Sequence, residues 1–186
     1  LKNFDGAQGL NVSWSQSLNI SNKILVIGTM VLYFLMPVIN LKEIFLKIKS
    51  TNKLSILLIF IFCLKNIYFF NFPHSTWGGG FFHKFSNIIF GNNYLFFVVS
   101  VLSILIIHSI IKKNFSNYLL LVLLILFNPQ FTIYIKYFDP LIFILFLTLF
   151  DFDLKKHFFE KTYAIYQFYS VIFCYYVVVY SKNIFF

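Results

Sequence analysis

Lys136 and Asp139 stand three residues apart inside the otherwise mostly apolar stretch 130–150. On a helix that spacing makes them neighbours on one face, about 9 and 14 Å along the axis from Gln130. Charged groups in so apolar a run are costly unless they face a cavity or each other, which makes them functional candidates. Lys65-Asn66 interrupts a second apolar run, 54–72, in the same way. Between the runs, the segment 73–93 reads as a loop carrying Pro73, His74, Trp77, the triplet Gly78-Gly79-Gly80, His83 and Lys84. Lys136, Lys65, His74, His83 and Lys84 together form a candidate binding set for an anionic head group. The catalytic residue is not identified by the sequence, with Asp139 a candidate, and no general base can be assigned.

Each of these residues also has a plainer reading. Lys136 and Asp139 could simply neutralise one another, and Asp139-Pro140 could mark a break between two short helices. Lys65 could lay its stem along apolar surface and lift its amine to a polar boundary. The glycine triplet lacks the spacing of a phosphate-cradling loop and equally suits a closely packed turn. His74 and His83, nine residues apart, have no metal-ligand spacing, so neither a metal nor a cofactor is expected. His108 and His157 read as structural. Cys63 and Cys174 sit in apolar runs, where a free thiol behaves as a small hydrophobe, and they form no disulfide framework.

The elements that must position these residues follow from composition. Of 186 residues, 60% are hydrophobic, 23% aromatic and only 11% charged, with a mean hydropathy of +0.82. Soluble domains carry about 25% charged residues, so an ordinary soluble domain is excluded, as are disorder and a disulfide-rich secreted scaffold. Apolar blocks at 24–39, 54–72, 94–111, 130–150 and 163–180 are continuous rather than alternating, which favours helices over a barrel. Their lengths predict an all-α polytopic transmembrane bundle of about five spans, forming one domain over residues 1–186. A half-length helix at 118–127, stopped by Asn128-Pro129, and an amphipathic surface helix at 41–53 complete it. That surface helix would place Leu41, Ile44, Phe45 and Ile48 on its apolar face.

All fifteen basic residues are lysine, against six acidic residues, giving a formal charge of +9. The lysines cluster in short loops, which argues for membrane orientation rather than nucleic-acid binding. Loops 41–53, 112–117 and 151–161 would face the cytoplasm, leaving 1–23, 73–93 and the C-terminus on the opposite side. The expected setting is a multi-pass protein of the bacterial inner membrane, or of the endoplasmic reticulum in a eukaryote. The start at Leu1 and the polar segment 1–23 suggest part of a longer chain.

The stretch Tyr134-Ile135-Lys136-Tyr137-Phe138-Asp139-Pro140, followed by an apolar helix, resembles the basic–aromatic–aromatic–Pro segment late in dolichyl-phosphate-glucose α-1,2-glucosyltransferase-like proteins. More broadly, the last two-thirds of the chain resembles the C-terminal part of C-type polytopic glycosyltransferases. The match has Lys where the family has Arg and is one residue shorter. The resemblance implies sugar transfer from a polyprenyl-phosphate donor to a glycan acceptor on the non-cytoplasmic face. Lys136, Lys65 or Lys84 would then serve as point charges on the phosphate. The competing expectation is a non-enzymatic transporter or membrane-complex subunit, suggested by the broken helix at 118–127.

Overall fold

The computed structural model describes residues 19–36, 41–72, 78–126, 133, 141–142, 144–151, 166, 169–170 and 173. Six α-helices appear among them: α1 (Ile20–Leu35), α2 (Leu41–Ser50), α3 (Lys53–Tyr68), α4 (Gly80–Phe90), α5 (Tyr94–Ile110) and α6 (Phe115–Leu126). A π-helical turn follows at Leu145–Leu149.

The helices start where side-chain oxygens can satisfy free amides. The Asn19 carboxamide oxygen accepts from the Asn22 amide at 3.1 Å, and that of Asn52 accepts from Leu54 at 3.0 Å. Helix α4 is bracketed instead by glycines in left-handed backbone, Gly79 before it and Gly91 after it. A helix here corrects the expectation of a loop over 73–93. Its sequence, GFFHKFSNIIF, has no glycine or proline after its first residue, and the flanking glycines mark its two ends.

Helix α1 is the centre of the structure. It packs against α3, α4, α5 and α6, and Leu25, Val26, Ile27, Met30 and Val31 are almost completely buried. The Asn22 carboxamide ties its first turn to the chain leaving α3. Its nitrogen donates to the Asn71 carbonyl at 2.8 Å, and its oxygen accepts from the Asn71 amide at 2.9 Å. The widest contact is between α1 and α5, where Ser100 and Ser103 let the two backbones approach. Their hydroxyls return to the helix, donating to the carbonyls of Phe96 and Ser100.

The expected polytopic bundle is overturned. Among the described residues no helix is long and apolar enough to cross a membrane. Helices α1, α3 and α5 have 16, 16 and 17 residues, or about 24–26 Å at 1.5 Å per residue, against a hydrocarbon core of about 30 Å. The run 54–72 outlasts its helix because its last residues do other work. Of the run 54–72, Phe69–Phe72 lie beyond the end of α3, and Phe70 and Phe72 turn inward against His83. The sidedness inferred from the lysines loses its basis with the spans.

Helix α2 forms close to its expected limits, but its apolar face is narrower. Ile44 is buried and Ile48 half-buried, whereas Phe45 stays exposed. The expected last span, 163–180, lies almost entirely outside the described residues.

Candidate functional site

Gly78, Gly79 and Gly80 all have positive φ, at 111°, 85° and 78°. That left-handed path favours glycine because other residues crowd the following carbonyl there. It turns the chain so that the Gly79 amide donates to the Ile133 carbonyl at 2.9 Å and α4 begins immediately. The turn also brings the backbone against the imidazole of His83. A Cβ at position 79 would lie 2.5 Å from His83 Nδ1 and 3.1 Å from Phe72 Cε1.

His83 is closed in by the rings of Phe70, Phe72 and Phe96, each roughly edge-on with centroids 5.2–5.9 Å away. Its Nδ1 is buried and has no hydrogen-bond partner among the described residues. Burial, reinforced by the neighbouring Lys84 charge, lowers its pKa to about 4. At neutral pH the ring is uncharged, so it offers packing and one unsatisfied nitrogen rather than a cation.

The floor of this box is fixed by Ser86. Its hydroxyl donates to the Asn92 carbonyl at 2.6 Å and accepts from the Phe96 amide at 3.3 Å, locking α4 onto the start of α5.

The other members of the candidate set are dispersed. Lys84 follows His83 on α4 with an exposed side chain, and Lys65 is exposed near the end of α3. No hydrogen bond or ion pair joins these two lysines to each other or to His83 among the described residues. His74, Lys136 and Asp139 lie outside the described residues. The Gly79–Ile133 hydrogen bond nevertheless attaches the glycine turn to a residue three positions before Lys136.

A second feature gave little signal in the sequence. Helices α1, α3, α5 and α6 line a partly open apolar pocket of about 320 Å³, in which His108 and Tyr118 are the polar side chains among the described residues. His108 reads from sequence as an ordinary helical residue. It follows Ile104 and Ile107 at helical spacing and precedes Ile111, the pattern that carries a side chain into a shared interior. Its Nε2 is buried with no hydrogen-bond partner among the described residues. Burial and the Lys113 charge lower its pKa, so this imidazole too is kept neutral. Cys63 is fully buried and burial pushes its thiol up to about 11, which leaves it chemically inert.

The surface completes the picture. Asn22, Lys23, Asn66, Ser86, Ser100, Ser103 and Asn117 are buried, while Leu54, Leu57, Leu58, Ile61 and Leu64 of α3 face outward at 49–60% exposure. Further exposed apolar side chains lie on α4, α5 and α6, among them Ile88, Val98 and Leu123. Water-facing proteins seldom expose contiguous apolar surface on this scale. No protein-family model matches the chain, and neither a curated protein nor a solved structure is significantly similar to it.

Proposed function

We propose that this protein works in contact with lipid and takes part in moving a sugar from a lipid-phosphate donor. The observation that carries the lipid contact is the set of exposed leucine, isoleucine and phenylalanine side chains on α3, continued on α4, α5 and α6. Apolar surface of this extent is stable against acyl chains and costly against water, at about 25 cal/mol per Å². This association asks no described helix to cross the bilayer.

The sugar-transfer part rests on the resemblance around Lys136. It gains support from the Gly79–Ile133 bond, which ties a residue three positions before Lys136 to the glycine turn that opens α4, the helix of His83 and Lys84. Lys84 and Lys65 have exposed side chains and would meet a phosphate as point charges, while the neutral His83 would hold the turn in shape.

Two measurements test this reading separately. The protein should float with phosphatidylcholine vesicles in a density gradient, and Leu57→Arg/Ile61→Arg should weaken that association. Protein that stays at the bottom of the gradient refutes lipid contact. Full-length protein should transfer sugar from a polyprenyl-phosphate sugar, and Lys136→Ala should lower turnover roughly 10- to 100-fold, the effect of losing one charged hydrogen bond. Unchanged turnover in that variant removes Lys136 from the site.

A further inference from the structure

Helices α1 and α5 run in the same direction, and α3 runs back against them. The Asn22 carboxamide bonds to Asn71, so the chain leaving α3 lies at the start of α1 and α3 begins where α1 stops. Phe96, near the start of α5, packs its ring 5.2 Å from that of Phe70 in the same segment. A Cβ on Gly28, midway along α1, would lie 3.3 Å from Ser103 Oγ, midway along α5. Helix α5 therefore also finishes where α1 stops. The turn from α2 into α3 and the turn from α5 into α6 share that end, and α2 packs against α5 there.

This end presents amines and large apolar side chains together. Phe45, Leu46 and Lys49 share one face of α2 at helical spacing and all are exposed, the two apolar side chains at 70% and 65%. Lys53 opens α3 with an exposed side chain. Beyond α5, Lys113 is exposed, and Phe115 two residues later is 81% exposed. The acids of this end among the described residues are Glu43 and Asp151. Asp151 is held by Lys112 at 3.0 Å, and Lys47 stands four residues after Glu43 on α2. Lys49, Lys53 and Lys113 are the excess of positive charge. Amines alone would suit any polyanion, but the interleaved phenylalanines and leucine narrow the fit. At a bilayer surface such rings enter the acyl boundary while lysine stems reach to the phosphates. The negative potential of an anionic leaflet adds attraction within a Debye length, about 8–10 Å.

We propose that this end of the helix cluster docks on the headgroup layer of an anionic phospholipid membrane, with Lys49, Lys53 and Lys113 meeting lipid phosphates. The inference rests on the lipid contact proposed above and adds its lipid class. It does not depend on sugar transfer.

The test floats the full chain with phosphatidylcholine vesicles, and with the same vesicles containing about 30 mol % phosphatidylglycerol. At about 0.1 M salt the anionic vesicles should bind it at least about tenfold more tightly, since each lysine at such a surface contributes roughly fivefold. About 1 M salt, where the Debye length is about 3 Å, should erase most of that preference. Lys49→Gln/Lys53→Gln/Lys113→Gln should reduce the preference to less than about threefold and leave association with phosphatidylcholine vesicles intact. Lysine acetylation by a succinimidyl ester, read by mass spectrometry, needs only the unmodified protein. On anionic vesicles Lys49, Lys53 and Lys113 should lose more reactivity than Lys65 and Lys84, which lie towards the opposite end. Equal binding to both vesicles overturns the proposal and leaves lipid contact standing. A preference that survives the triple substitution in folded protein, or protection centred on Lys65 and Lys84, overturns it too. Protein that floats with neither vesicle refutes lipid contact itself, and the proposal with it.

Discussion

Replacing Gly79 by alanine should be among the most damaging single-methyl changes in this protein, for two separable reasons. At φ 85° an L-residue costs about 1–2 kcal/mol through its clash with the following carbonyl. The new Cβ would also lie 2.5 Å from His83 Nδ1, and the imidazole is penned in by three aromatic rings and has little room to retreat. Overpacking of this kind costs about 1–3 kcal/mol more, for a total of about 2–5 kcal/mol. Gly91 supplies the control: its φ is 64°, and a Cβ there meets nothing within 4 Å. Gly91→Ala should therefore carry the backbone cost alone. Reversible unfolding in mixed micelles, followed by circular dichroism, should separate the two variants by about 1–3 kcal/mol. In a double-mutant cycle with His83→Ala, the excess at position 79 should largely disappear. Equal destabilisation by Gly79→Ala and Gly91→Ala would refute the reasoning, because it would mean that the His83 contact yields freely.

The pH dependence of stability follows from the same imidazole. Its folded pKa of about 4 lies below the ordinary value of 6.5, so the unfolded chain binds the proton first as pH falls. The contribution of neutral His83 is thus fully present above about pH 6.5 and drains away between 6.5 and 4, at no more than about 1.4 kcal/mol per pH unit. Unfolding titrations of the unmodified protein and of His83→Phe should diverge in that window, and parallel curves would contradict the assignment. At the far end of α5, the fully buried Asn117 carboxamide donates to the carbonyls of Lys112 and Asp151 and accepts from the Asp151 amide at 3.0 Å. Asn117→Ala should cost about 1–3 kcal/mol in the unfolding assay, since it strips the Asp151 amide of its acceptor. Lys112→Ala, which removes the half-exposed ion pair with Asp151 at 3.0 Å, should cost less than about 1 kcal/mol.

Much of the helical framework was legible. The run 94–111 and helix α5 agree to within a residue, and 41–53 contains α2, because uninterrupted apolar or amphipathic spacing leaves few other choices. What failed was the step from run length to helix length. A phenylalanine contributes equally to a hydropathy run whether it sits on a helix, like Phe62, or folds back beyond its end, like Phe70. Helix α4 was hidden for the opposite reason: its flanking glycines signal turns, and an eleven-residue helix between two turns reads as one loop. At the candidate site, His83 and Lys84 stand out by residue type, but their difference in burial depends on Phe72 and Phe96, which sequence places 11 residues before and 13 after His83. The cavity could not be read at all. Its lining comes from four helices, and His108 and Tyr118 are all that sets it apart from ordinary apolar packing among the described residues.

The envelopment of α1 has a consequence for how the chain is made. Its partners α3 to α6 all follow it, so its burial is incomplete until synthesis reaches about residue 126. From residue 35 onward that is roughly 5–18 s at about 5–20 residues per second. For that interval the nascent chain carries an exceptionally sticky segment with no mate. Cells that produce this protein must therefore shelter residues 20–35 beside the ribosome, and a translational pause before α5 would lengthen the period of risk.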